Sequence, residues 1–193
     1  MTSPTLVIAG SVRPTRIAPQ VAAWIAAIGR ETTGGAFEAI DLADWPLPMD
    51  DEPGMPQSGD YTHDHTRAWS ARIAAASGFV FVMPQYNGGY PAALKNAIDH
   101  LYREWAGKPA LIITYGGHGG ARGGEQLAQV CSFVKMQPLE TRPALTLSRA
   151  RIEANDGRID PATEFAAHVE DLRVAFGAYS TAIAGDDAPV ISR

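Results

Sequence analysis

The sequence predicts an α/β fold, a parallel sheet covered by helices on both faces. Short apolar runs alternate with segments of helical period along the chain of 193 residues, and that alternation builds parallel sheets through crossover helices. The runs are apolar at nearly every position, as strands covered on both faces must be. Several runs also end at a glycine-bearing loop, where an open α/β sheet carries its ligands.

Thr5 to Ala9 (TLVIA) is the first such run, and Gly10 closes it. From Arg16 to Arg30 the pattern becomes helical, because Ile17, Val21, Trp24, Ile25 and Ile28 recur on one face. Gly34-Gly35 ends that helix, and Phe37 to Leu42 reads as a second strand. Trp45 to Tyr61 is rich in Pro, Gly and Asp. It can be neither a regular helix nor a central strand, so it is a long loop, either functional or a simple exposed connection. His65 to Ser77 follows as a helix with Trp69 and Ile73 inward, then Phe79 to Met83 (FVFVM) as a third strand. Pro91 to Tyr102 is a helix whose proline suits the first turn. Ala110 to Thr114 (ALIIT) is the fourth strand, Glu125 to Lys135 a helix, and Leu139 to Leu147 a fifth strand region. Pro161 to Tyr179 is the last helix, and the tail from Gly185 onward reads as frayed. No linker or repeat interrupts the order, so residues 1–193 read as a single domain.

The composition limits the function classes. The net charge of -5 is too mild to mark a partner, and no basic stripe points to nucleic acid. No apolar run approaches the ~20 residues that span a bilayer. No basic segment leads into a long apolar run near Met1, so a secretory signal is not expected. Cys131 is the sole cysteine, which fits a reducing, cytoplasmic setting. Its place between Val130 and Val134 in a helical pattern makes it a small core residue rather than a reactive thiol.

Three strand ends carry the candidate chemistry. Gly10-Ser11-Val12-Arg13-Pro14-Thr15-Arg16 joins the first strand to a helix N-terminus. Free N–H groups and the helix dipole favour an anion there, Ser11 and Thr15 add hydroxyls, and arginine can grip a phosphate through two parallel bonds. An ordinary helix entry with two surface arginines is the alternative. The loop is neither G-x-G-x-x-G nor a Walker loop, so a monophosphate suits it better than a pyrophosphate. Pro84-Gln85-Tyr86-Asn87-Gly88-Gly89-Tyr90-Pro91 follows the third strand and combines aromatic rings, an amide and glycines. It could frame a flat ring, or Asn-Gly could simply turn the chain. Thr114-Tyr115-Gly116-Gly117-His118-Gly119-Gly120 follows the fourth strand, as a ring edge or a flexible connection. The predicted topology sets all three loops side by side, which argues for a mononucleotide and best for a flavin.

Other candidates are weaker. His63 and His65 flank Asp64 in a spacing that matches no standard metal site, so they read as surface and no metal is expected. His118 sits in a candidate loop. Trp105, beside Arg103 and Glu104, suits either a dimer contact or the core.

Taken together, Gly10-Ser11-Val12-Arg13, the 84–91 loop with Leu94, Lys95, Asn96, Ala97 and Asp99, and Tyr115-Gly116-Gly117 resemble the NADPH-dependent FMN reductase family. The resemblance implies a flavodoxin-like three-layer sandwich, with a five-stranded parallel sheet in the order 2-1-3-4-5. It also implies bound FMN, NADPH or NADH as electron donor, a small acceptor and a homodimer or tetramer. Ser11, Arg13, Arg16 and Ile17 would hold the phosphate end. Pro84, Gln85, Tyr86, Asn87 and Gly88 would line the ring, and Tyr115, Gly116 and Gly117 its other edge. Gln85 stands where many relatives carry Glu. The chemistry would lie on the cofactor, so no catalytic nucleophile is nominated. A flavodoxin-type electron carrier, a reductase of quinones, azo dyes or metal oxyanions, and a phosphate-handling hydrolase are the competing readings.

Overall fold

The computed structural model describes residues 3–186. Its strands are β1 (Thr5–Ala9), β2 (Phe37–Asp41), β3 (Gly78–Pro84), β4 (Pro109–Gly116), β5 (Gln137–Pro138) and β6 (Ala144–Thr146). Its helices are α1 (Ala18–Thr33), α2 (Asp64–Ala74), α3 (Ala92–Asp99), α4 (Ala121–Phe133), α5 (Arg149–Ala154), α6 (Pro161–Glu164) and α7 (Val169–Asp186). The sheet runs β2-β1-β3-β4-β5 with all pairs parallel, as the sequence predicts.

Strand side chains alternate between the two faces, and the core divides accordingly. Leu6, Ile8, Phe79, Phe81 and Ile112 pack beneath α2, α3 and α4 through Trp69, Ile73, Leu94, Ile98, Leu127 and Cys131. Val7, Val80, Val82, Leu111 and Ile113 pack beneath α1 and α7 through Val21, Ile25, Leu172 and Phe176. Gly29 lets α1 approach closely, since a Cβ there would lie 2.9 Å from the rings of Phe176 and Phe37.

Several expectations change in detail. The fifth strand region is two short pieces, β5 and β6, both paired with β4. Pro138 and Pro143 cannot donate to the ladder; pairing runs to the Leu139 N–H on the Ala110 carbonyl and resumes with the Thr114 N–H on the Pro143 carbonyl. The expected helix from Pro161 breaks after Glu164, where Phe165 turns into the core beside Trp24. α3 stops at Asp99 rather than Tyr102, and α4 starts at Ala121, ahead of Glu125. Nothing in the sequence reading anticipated α5. Trp105 is buried, donates to the Ile98 carbonyl at 3.1 Å and packs edge-on against Phe79, so it belongs to the core and not to a subunit contact. α7 runs through Gly185 to Asp186, and the rest of the expected frayed tail, 187–193, lies outside the described residues.

The 45–61 loop is held by specific contacts. Trp45 packs on Trp69 at 4.8 Å, and the Asn96 amide donates to the Leu47 carbonyl at 2.8 Å. Burial opposes ionisation of Glu52, but the N–H groups of Thr62 and His63 outweigh it and hold the carboxyl down at about 2. Among the described residues, no helix is long and apolar enough to cross a membrane.

Candidate active site

Backbone pairing sets the three strand ends together. The Gly10 N–H donates to the Val82 carbonyl, and Pro84 lies opposite Tyr115 across the β3–β4 ladder. Gly10 itself is confined, because a Cβ would meet Leu94 and Met83 at 3.2 and 3.3 Å.

Between these ends lies a cleft of about 310 Å³, within the range of small-ligand sites. Ser11, Arg13, Arg16, Ile17, Pro84, Gln85, Tyr86, Tyr115, Gly116 and Gly117 all line it. Ser11 is buried, and its hydroxyl lies 2.6 Å from that of Tyr86. The Arg13 guanidinium lies over the Tyr86 ring, 3.8 Å from its centroid. No carboxylate pairs with Arg13 among the described residues. Burial pushes the Tyr115 hydroxyl upward, so it stays protonated. No side chain caps α1, and its first turn holds no acid. Its unpaired N–H groups are therefore open to an anion.

Four of the candidate residues, Arg16, Asn87, Gly88 and Gln85, are engaged within the fold itself. Arg16 directs its Nε and Nη2 donors at Asp41, at 3.1 and 2.6 Å, and its Nη1 at the Arg13 carbonyl. It braces the loop against β2 rather than presenting a free charge. Asn87 and Gly88 form a tight turn, with φ of 51° and 85° and the Tyr86 and Gly89 backbones bonded reciprocally. That pattern is a type I′ turn, for which Asn-Gly is the favoured pair, and neither residue lines the cleft. Gln85 accepts from the Gly123 N–H at 3.2 Å, in the first turn of α4. That N–H is shared with the Gly120 carbonyl at 3.1 Å, and a carboxylate at position 85 could accept from it equally well. His118 is exposed and stands outside the cleft lining.

The far wall went unread in the sequence. Leu147 just after β6, with Arg151, Ile152, Asn155, Asp156, Gly157 and Arg158 from α5 and the turn after it, completes the cleft. Ser148 caps α5 by accepting from the Arg151 N–H, and Asn155 ends it at φ 40°. Thr15 donates to the Asn155 side chain at 3.2 Å, and Gln20 donates to the Gly157 carbonyl at 2.8 Å. This segment therefore closes directly onto the phosphate-loop candidate. Ser148 and Asp156-Gly157 were the available signals, a helix cap and a turn, but neither indicates where the segment docks.

A doubly wound sheet in the order 2-1-3-4-5, with an uncapped helix after the first strand and a cleft at the switch point, defines the flavodoxin-like class. Residues 4–148 match the NADPH-dependent FMN reductase family, and the chain belongs to it. It is accordingly a flavin-dependent oxidoreductase that draws on NAD(P)H. The chain is 54% identical over 182 residues to an NAD(P)H-dependent FMN reductase of Schizosaccharomyces pombe, covering 93% of this chain and 90% of that protein. It is 30% identical to a 2-hydroxy-1,4-benzoquinone reductase of a Burkholderia species, covering 87% of this chain and 97% of that protein. Its fold is similar to that of FerB, a flavoenzyme NAD(P)H:(acceptor) oxidoreductase of Paracoccus denitrificans. There the TM-score is 0.67 at 21% identity, with 95% of this chain and 98% of that chain covered.

Proposed function

We propose that this cleft seats FMN and that the chain, acting as one domain over residues 1–193, passes electrons from NADPH or NADH to a quinone or flavin. The carrying observation is the cleft itself. An uncapped helix start, a buried serine and an arginine without a carboxylate partner occupy one end; tyrosines and glycines line the other. Those residues fit a phosphate joined to a flat ring. FMN, when bound, supplies the redox chemistry.

The chain's own contribution is binding, orientation and access. Ser11, Arg13 and the α1 N–H groups hold the phosphate, while Arg16 and Ile17 support the loop. Pro84, Gln85 and Tyr86 form one wall for the ring, with Asn87 and Gly88 turning the chain behind it. Tyr115, Gly116 and Gly117 form the opposite edge. A Cβ at Gly116 would meet nothing within 4 Å, so that side is open to an incoming ring. A quinone acceptor is supported by the Burkholderia relative, which is named a benzoquinone reductase.

The purified protein is expected to show oxidised-flavin absorbance, to bleach anaerobically on adding NADPH or NADH, and to recover colour when a benzoquinone is added. A colourless protein that does not take up FMN would refute the site. Bleaching without recovery would refute the acceptor class alone.

A homodimer fits the apolar groove between α3 and α4, where Met55 and Phe133 are 74% and 77% exposed. Gel filtration is expected to return a dimer, or a tetramer built from it, and a strict monomer would remove this reading. The single cysteine supports a cytoplasmic setting.

A further inference from the structure

The 45–61 loop meets α2 and α3 at a group of side chains that stand outside the cleft lining and are unused by the function above. Asp51 comes from the loop, His65 from the first turn of α2, and His100 from the C-cap of α3. One ligand atom from each lies within 4.8 Å of the others. Asp51 Oδ1 and His65 Nε2 are buried with no hydrogen-bond partner among the described residues. Asp51 Oδ2 is only 2.9 Å from His65 Nε2, yet this contact lacks the alignment of a hydrogen bond. Asp51 Oδ1 and His65 Nε2 are thus two buried polar atoms without a hydrogen bond, which native structures rarely leave unexplained.

We propose that Asp51, His65 and His100 form a binding site for a divalent transition-metal ion, with Zn²⁺ the ion the donors suit best. The two imidazole nitrogens are borderline donors that favour zinc over magnesium or calcium, and an Asp oxygen is an ordinary third zinc ligand beside them. Zinc bonds of ~2.0–2.1 Å place tetrahedral ligand atoms roughly 3.3 Å apart, so a small contraction of the present group suffices. A water would take the fourth position.

His100 is already oriented for this. One ring nitrogen lies 2.9 Å from the Pro48 carbonyl and the other 3.2 Å from the Thr66 hydroxyl. A metal replaces one of these bonds while the other holds the ring, as ligating histidines generally require. His63 stacks on His65 at 5.2 Å, with its Nε2 4.0 Å from Asp51 Oδ2, and flanks the site without completing it. Bound metal would tie three segments that are distant in sequence, closing the loop onto the two helices.

The test uses the FMN-loaded protein, treated with a chelator, dialysed and titrated with zinc chloride by calorimetry. One saturable zinc per chain is expected, together with a higher melting temperature that the chelator reverses. Asp51→Ala and His65→Ala are each expected to weaken zinc binding at least tenfold while leaving flavin absorbance unchanged. Cobalt(II) added to the unmutated protein supplies a readout that needs no variant. Intense tetrahedral bands should appear at wavelengths beyond those oxidised flavin absorbs. Absence of saturable zinc binding, equal binding by both variants, or a weak octahedral cobalt spectrum would overturn the site. NAD(P)H oxidation by the same sample tests the flavin reading separately.

Discussion

Arg13→Ala is expected to lower FMN affinity about 10- to 100-fold, read from the quenching of flavin fluorescence on titration. The reason is the unpaired state of this guanidinium. It lies over Tyr86, is exposed and has no carboxylate partner among the described residues. A charge-assisted bond to phosphate contributes roughly 1.5–3 kcal/mol, and each 1.4 kcal/mol is about tenfold in affinity. The same truncation should leave the urea midpoint nearly unchanged, because exposed side chains away from packing contribute little to stability. Arg16→Ala separates the two roles. Its guanidinium is bonded to Asp41, and the two side chains are 22% and 14% exposed. Removing it leaves the largely buried Asp41 carboxylate with the Ala43 N–H as its remaining bond. Stability and FMN affinity should therefore fall together in Arg16→Ala. Unchanged FMN affinity in the Arg13→Ala/Arg16→Ala double variant would show that the phosphate lies elsewhere.

Trp69→Ala is the substitution expected to cost the most stability, about 3–5 kcal/mol from a total of roughly 5–15 kcal/mol for a typical domain. Trp69 is fully buried, with Trp45 and Trp105 at 4.8 and 6.3 Å. Its indole N–H donates to the Ala97 carbonyl at 2.8 Å, and Trp105 donates to that of Ile98. Two tryptophans thus help to satisfy the last carbonyls of α3, where no glycine caps the helix, with the Leu101 N–H sharing that of Ile98 at 3.2 Å. Trp69→Phe keeps most of the volume and loses the bond, so about 1–3 kcal/mol is expected. Chemical denaturation of both variants measures the split. Equal losses would mean that packing contributes nothing beyond the hydrogen bond, contrary to the contacts seen.

Read residue by residue, much of this protein was legible in its sequence. The apolar runs at Thr5–Ala9, Phe79–Met83 and Ala110–Thr114 could only be strands covered on both faces, and helical periods between them required parallel crossovers. That topology sets the loops after β1, β3 and β4 at one edge, so most of the cleft could be named before any coordinate was known. These are consequences of local backbone preference and hydrophobic period, which short stretches of chain carry by themselves.

What only the tertiary structure decided depends on partners distant along the chain. Arg13 and Arg16 look alike in sequence; Asp41, 25 residues beyond Arg16, engages one and not the other. For Asn87 and Gly88 the sequence allowed a ring wall or a plain turn, and the reciprocal backbone bonds of Tyr86 and Gly89 set the turn geometry. The 148–158 segment becomes a wall of the cleft only by docking on Thr15 and Gln20. His65 reads in sequence as a surface residue beside Asp64, yet its neighbours in space are Asp51 and His100. In each case a side chain's role is set by which charge or donor meets it across the fold, and a linear pattern contains no such distances.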